Sequence, residues 1–237
     1  LMAALRSAGL AEDTIVVLTS DHGEMLGERG LWYKMSFFEG ACRVPLVIAS
    51  PGRFAPRRVA ANVSLVDLMP TFIEFTGGDA HSLGIAIDGR SLAPHLSGAT
   101  GHDEAIGEYL AEGAIAPMVM IRRGQFKFIH SPADPDQLFD LERDPSERDN
   151  LADNPACAAL VADFRAEVGK RWDLVELDAK VRASQRRRRL VDAALNTGAI
   201  HAWDFQPFRD AARQYIRNSV ALDDLEAMAR FQPVARR

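Results

Sequence analysis

The sequence predicts an α/β fold that passes into a smaller α+β layer, on three observations. Two short apolar runs, ThrIleValValLeu at 14–18 and ValProLeuValIleAlaSer at 44–50, end in polar, Pro or Gly residues, the pattern of fully buried strands in a parallel sheet. Residues 64–76 carry apolar side chains at 65, 66, 68, 69, 72, 73 and 75 behind Ser64 and ahead of Gly77 and Gly78, a helix packed on that sheet. From about residue 105 the pattern changes to four short runs joined by turn signals, then a helix-period stretch from Pro155 to Trp172.

Each element has its own reason. Residues 1–13 read as the end of an amphipathic helix, with Gly9 as its C-cap and a loop into the first strand. Pro45 suits the start of the second strand, where no ladder donor is needed. Pro70 predicts that the 64–76 helix is kinked or restarted. Residues 79–103, rich in Gly, Ser, Asp and His, predict surface loops with one short helix near Ser91 to Leu96. The runs AlaIleGlyGluTyrLeu, ProMetValMetIleArg, PheLysPheIleHis and GlnLeuPheAspLeu predict an antiparallel sheet, and apolar positions 160, 161, 164, 168 and 172 predict the helix that covers one face of it. Residues 173–193 read as helical and a last helix is expected near Asp223 to Arg230. The expected domains are 1–104, 105–180 and 181–237.

Composition narrows the function. Charged residues at 26% and hydrophobic residues at 47% describe an ordinary globular protein. With 28 basic against 33 acidic residues, nothing points to nucleic acid or an anionic membrane. Four arginines at 186–189 would point in several directions from a helix, so a solvated or subunit-contacting face is expected there. Two cysteines, Cys42 and Cys157, make no disulfide framework, and reduced cytoplasm is the expected location. No apolar run approaches the roughly 18 residues needed to span a bilayer.

Chemistry is expected where the first strand ends, because ligands collect beyond the carboxyl ends of strands in open α/β sheets. Asp21 and His22 stand there side by side, followed by Gly23, and Lys34 lies thirteen residues beyond Asp21 in a segment that also holds Arg29 and Arg43. A carboxylate next to an imidazole is half of a metal site, and a nearby cation suits an anionic substrate. Glu39 and Arg43 read as a structural ion pair, and Trp32, Tyr33 and Phe37 as core and pocket wall.

SerAspHisGlyGluMetLeuGly at 20–27, GlyLeuTrpTyrLys at 30–34, PhePheGlu at 37–39 and ArgValProLeuValIle at 43–48 resemble the signature of the sulfatases in the alkaline phosphatase superfamily. ValSerLeuValAspLeuMetProThrPhe at 63–72, AspGlyArgSerLeuAlaProHisLeu at 88–96 and LeuPheAspLeuGluArgAspProSerGluArgAspAsnLeu at 138–151 resemble that family's later blocks, and residues 196–207 and 210–218 are similar to the C-terminal extension of choline sulfatases. The implied fold is the C-terminal part of an alkaline-phosphatase-like α/β sandwich, then a small antiparallel-sheet-plus-helix subdomain and a helical extension. The early acidic metal ligands and the Cys or Ser that matures to the formylglycine nucleophile have no counterpart here, since neither cysteine has that motif's context. The chain therefore reads as the C-terminal portion of a larger enzyme, with any targeting signal on the other part.

The resemblance implies a sulfuric ester hydrolase acting on choline-O-sulfate. Asp21 and His22 would bind one divalent ion, Ca²⁺ first, with Mn²⁺ or Mg²⁺ as alternatives, and Lys34 would contact a sulfate oxygen. Arg29 stands where many relatives carry His, which leaves its role open. A quaternary ammonium wants aromatic faces and carboxylates. Glu112 is the first candidate, with Glu108, Trp203, Asp223 and Asp224 beside it; His201 and Asp204 flank Trp203. The expected partners are a small sulfate ester and copies of the same chain in a dimer or tetramer. A phosphonate monoester or phosphodiester hydrolase and an arylsulfatase are the enzyme alternatives, and a non-catalytic fragment or pseudoenzyme that serves oligomer assembly is the alternative of another class.

Overall fold

A computed structural model describes residues 1–111 and 113–197. Two compact units divide the chain, Leu1–Val181 and the residues from Arg182 onward.

The first unit opens with helix α1, Met2–Ser7, which Gly9 closes in the left-handed region at φ 70°. Strand β1, Val16–Thr19, follows and pairs with β4, Leu46–Ala49. The pairing is antiparallel, Val16 facing Ala49 and Thr19 facing Leu46, with Leu18 58% and Val47 55% exposed. This corrects the fully buried parallel strand that the apolar run predicts. A β-branched run specifies a strand, but neither the direction of its partner nor what covers its faces.

Between these strands lie a small hairpin, β2 (Met25–Leu26) and β3 (Trp32–Tyr33), and the single turn of helix α2, Glu39–Cys42. Trp32 and Tyr33 are 62% and 63% exposed rather than core, while Phe37 packs with Phe38 against the later sheet.

Residues 64–75 start and restart as Pro70 requires. Ser64 and Asp67 form a capping box around a 3₁₀ turn, Leu65–Asp67, and helix α3, Leu68–Phe75, continues from it. Asp67 is 3% exposed and accepts from the Ser64 amide at 2.8 Å, the Arg90 amide at 2.8 Å and His102 Nε2 at 2.9 Å. Thr71, fully buried, accepts from the Leu92 amide at 2.8 Å, so the Asp67–Thr71 turn holds the loop that leads into α4, Ala93–Ser97. Val66, Met69 and Phe72 remain exposed, so α3 is covered over only part of its apolar surface.

Strands β5 (Glu104–Tyr109), β6 (Met118–Arg123), β7 (Phe126–Ser131) and β8 (Asp134–Asp140) form an antiparallel meander in the order β5-β6-β7-β8. Helix α5, Ala158–Arg171, lies on one face, where Val119, Ile121, Phe128 and Leu138 meet Val161, Phe164 and Val168. Phe128 and Phe164 stack at 5.3 Å with rings 7° from parallel. The opposite face carries Met120, Ile129 and Phe139 and receives Phe37 and Phe38. A sheet buried on both faces loses the polar half of its alternation, and Lys127 on β7 is wholly enclosed as a result. Helix α6, Leu174–Leu195, follows, and none of the described helices is long and apolar enough to cross a membrane.

Candidate active site

The segment after β1 places the expected site residues together. Asp21 Oδ2 lies 3.3 Å from His22 Nε2, and Lys34 Nζ lies 2.9 Å from the same nitrogen. His22 Nδ1 is 2.7 Å from the Gly23 carbonyl, which can only accept, so Nδ1 carries the proton. That leaves Nε2 with its lone pair turned toward Asp21 and Lys34. Desolvation raises the Asp21 carboxyl, but donation from the His22 amide, the nearby imidazole, its own amide and the Ser20 hydroxyl outweigh it, and the group ionises below the ordinary carboxylate range.

These residues fit a divalent ion. One hard oxygen and one imidazole nitrogen 3.3 Å apart match two neighbouring ligands of an ion held at about 2.0–2.5 Å from each. Among the described residues no group of three or more His, Cys, Asp or Glu side chains converges, so Asp21 and His22 could offer an ion two ligands and not a complete shell.

The loop is held from behind. The Gly23 amide donates to Ala41 O and the Glu24 amide to Gly40 O, both at 2.7 Å. A Cβ on Gly23 would stand 2.1 Å from Gly40 O, so only glycine allows α2 this close. Tyr33, next to Lys34, is in the left-handed region at φ 68°, as is Arg29 at φ 56°, conformations that non-glycine residues adopt at a cost.

Several expected residues have other work. Arg29 lays its guanidinium 4.3 Å over the Phe38 ring and donates to Ser146 O, which clamps the β2–β3 hairpin to the sheet. Glu39 does reach Arg43 at 3.7 Å, but its shorter contact is with Lys127 Nζ at 2.6 Å, so it anchors α2 rather than pairing only on the surface. Glu108 accepts from the Trp172 indole at 2.6 Å through one of its two oxygens. Glu112, Trp203, Asp223 and Asp224, with His201 and Asp204, lie outside the described residues.

Lys127 and Glu147 are the residues that reading the sequence missed. Lys127 Nζ meets Glu39 Oε1 at 2.6 Å, Glu147 Oε1 at 2.8 Å and Phe37 O at 2.8 Å, while Glu147 Oε2 accepts from the Glu39 amide at 2.7 Å. Burial pulls the Lys127 pKa down, but the acidic groups of Cys42, Glu39 and Glu147 win and it is raised. The signal was present: a lysine inside PheLysPheIleHis, in a strand between two others, needs a buried acid.

The Sulfatase family profile matches residues 1–78, and the profile described as choline sulfatase enzyme C terminal matches residues 179–231. The choline-sulfatase of Rhizobium meliloti is 43% identical over 234 residues, 98% of this chain and 46% of that protein. Arylsulfatase K of Rattus norvegicus is 37% identical over 63% of this chain and 28% of its own length. Among solved structures, the phosphonate monoester hydrolase of Silicibacter pomeroyi superposes with a TM-score of 0.61 at 33% identity over 71% of this chain and 36% of that one. A 2-O GAG sulfatase superposes at 0.61 with 26% identity over 78% and 40%. The chain spans about half the length of the first of these relatives and less of the others.

Proposed function

This chain belongs to the sulfatase family of the alkaline phosphatase superfamily, and from that premise we propose that it contributes metal and sulfate contacts to an enzyme hydrolysing choline-O-sulfate to choline and sulfate. The observation that carries the reading is the convergence of Asp21 and Lys34 on Nε2 of His22 just beyond β1. A bound divalent ion, Ca²⁺ before Mn²⁺ or Mg²⁺, would polarise the ester oxygens. In this reading the formylglycine nucleophile and the remaining metal ligands would come from residues outside this chain. Within it, the ionised Asp21 and the Nε2 lone pair of His22 offer the ligands, and the Gly23 carbonyl keeps the imidazole proton on Nδ1. Lys34 turns from His22 to a sulfate oxygen and neutralises charge on the leaving ester oxygen.

The choline specificity rests on the matched C-terminal profile and the 43% identity to a choline-sulfatase. Glu112 is the first candidate for the ammonium, and Trp203, Asp223 and Asp224 are the further candidates. The bounds 1–104, 105–180 and 181–237 are kept as proposed segments, the first two lying within the one compact unit Leu1–Val181. A homo-oligomer fits the exposed Leu190, Val191 and Leu195 on α6, and a reducing, cytoplasmic setting fits the two free cysteines. A second reading, a phosphonate monoester hydrolase, is favoured by the 33% identity to the enzyme from Silicibacter pomeroyi. Turnover of choline-O-sulfate against a phenyl phosphonate by the full-length enzyme, with Glu112→Gln alongside, separates the two. Choline-sulfate preference that collapses in the variant supports the first, and phosphonate preference the second.

A further inference from the structure

The Lys127 cluster reaches the candidate site through one element. Its ammonium binds Phe37 O, Glu39 and Glu147, and the other oxygen of Glu147 accepts the first amide of α2. Glu147 holds this geometry with a left-handed backbone, φ 56°, a conformation that persists only where surrounding contacts impose it. The α2 turn then presents Gly40 O to the Glu24 amide. That amide and the Gly23 carbonyl belong to the same peptide plane, so fixing one orients the other on the opposite side. The Gly23 carbonyl is the group that His22 Nδ1 meets at 2.7 Å.

We infer that Lys127 is a positioning residue for His22: its buried ion pairs lock α2, and α2 holds the peptide plane that fixes the imidazole tautomer and leaves Nε2 unprotonated. The functional consequence rests on the metal-ligand reading of His22. The path is short and contiguous, and nothing in it requires Lys127 to touch a ligand. The sheet subdomain thereby sets the competence of a loop more than a hundred residues earlier in sequence.

The test uses the metal-free full-length enzyme labelled with ¹⁵N-histidine, with His22→Gln to assign the ring signals, and Mn²⁺ titration followed by electron paramagnetic resonance. Wild type should show His22 as a single Nδ1–H tautomer. Lys127→Met should give mixed tautomers and bind Mn²⁺ at least about tenfold more weakly, the size of effect typical when an outer partner of a ligand is lost. Phe164→Leu, on α5 where it packs against the opposite face of the sheet, controls for general loosening and should leave both readouts at wild-type values. A wild-type tautomer and Mn²⁺ affinity in Lys127→Met, or the same changes in Phe164→Leu, overturns the inference. Should Lys127→Met fail to fold, Glu147→Ala removes both the acceptor of the Glu39 amide and one partner of Lys127 and should shift both readouts in the same direction; wild-type values there overturn the inference equally. If His22→Gln leaves Mn²⁺ binding untouched, the metal reading fails, while the tautomer comparison still decides the role of Lys127.

Discussion

Lys34 Nζ sits 2.9 Å from His22 Nε2, on the one ring nitrogen that the Gly23 carbonyl leaves unprotonated. The same lone pair cannot serve an ammonium and a metal ion together, so the two occupants exclude each other. Lys34→Met should therefore bind Mn²⁺ as tightly as wild type or more tightly. It should also lower sulfate-ester turnover by about 10²–10³, the cost of losing one charged contact to the reacting group. Weakened metal binding in the variant would contradict this mutual exclusion.

Gly23→Ala tests how closely α2 must approach. The new Cβ would meet a backbone oxygen at 2.1 Å, which cannot swing aside as a side chain does. Overpacking of this kind costs about 1–3 kcal/mol, and the loop carrying Asp21 and His22 should move with it. Gly40→Ala meets the flexible Met25 sulfur at 2.8 Å instead and should cost less. Denaturant midpoints of the two variants decide the order.

His95 gives the first unit a pH dependence. Desolvation, then the neighbouring His102, lower its pKa below the ordinary 6.5, against the opposing pull of Asp67 and Asp103. Its Nε2 has no hydrogen-bond partner, and Gly101 packs against the ring. The unfolded chain takes up the proton near 6.5 and the folded one only at lower pH, so this contribution is complete above 6.5 and is lost as pH falls through the depressed value. Unfolding midpoints at pH 7.5 and pH 5.5 should differ less in His95→Phe than in wild type. An equal drop in both assigns the acid sensitivity elsewhere.

Phe164 anchors α5 to the sheet. It is 4% exposed and stacked on Phe128. Phe164→Ala should cost about 3–5 kcal/mol, the range for a buried aromatic that leaves a cavity. A loss under about 1 kcal/mol by chemical denaturation would mean that α5 is held chiefly by its ion pairs with Glu104 and Arg123.

Local pattern made much of this readable. The short runs separated by turn signals identify the sheet, and the spacing of Val161, Phe164 and Val168 identifies its helix, because turn residues mark strand ends and helical side-chain direction repeats every turn. Asp21, His22 and Lys34 are readable because they sit within fourteen residues of one another. The antiparallel pairing of β1 with β4 is not, since strand direction is a property of the partner. Asp67 and Lys127 escape for a related reason: their partners, Arg90, His102, Glu39 and Glu147, lie 20 to 90 residues away, and only the folded chain brings them together.

The central claim is that Asp21, His22 and Lys34 serve sulfate-ester hydrolysis. Sulfate release from choline-O-sulfate by the full-length enzyme, wild type beside Asp21→Asn, tests it most directly. The account predicts turnover in wild type that exceeds that on an aryl sulfate or a phenyl phosphonate, falls by at least about 10² in the variant, and is lost on chelation. Full activity in Asp21→Asn, or a preference for the phosphonate, would contradict it.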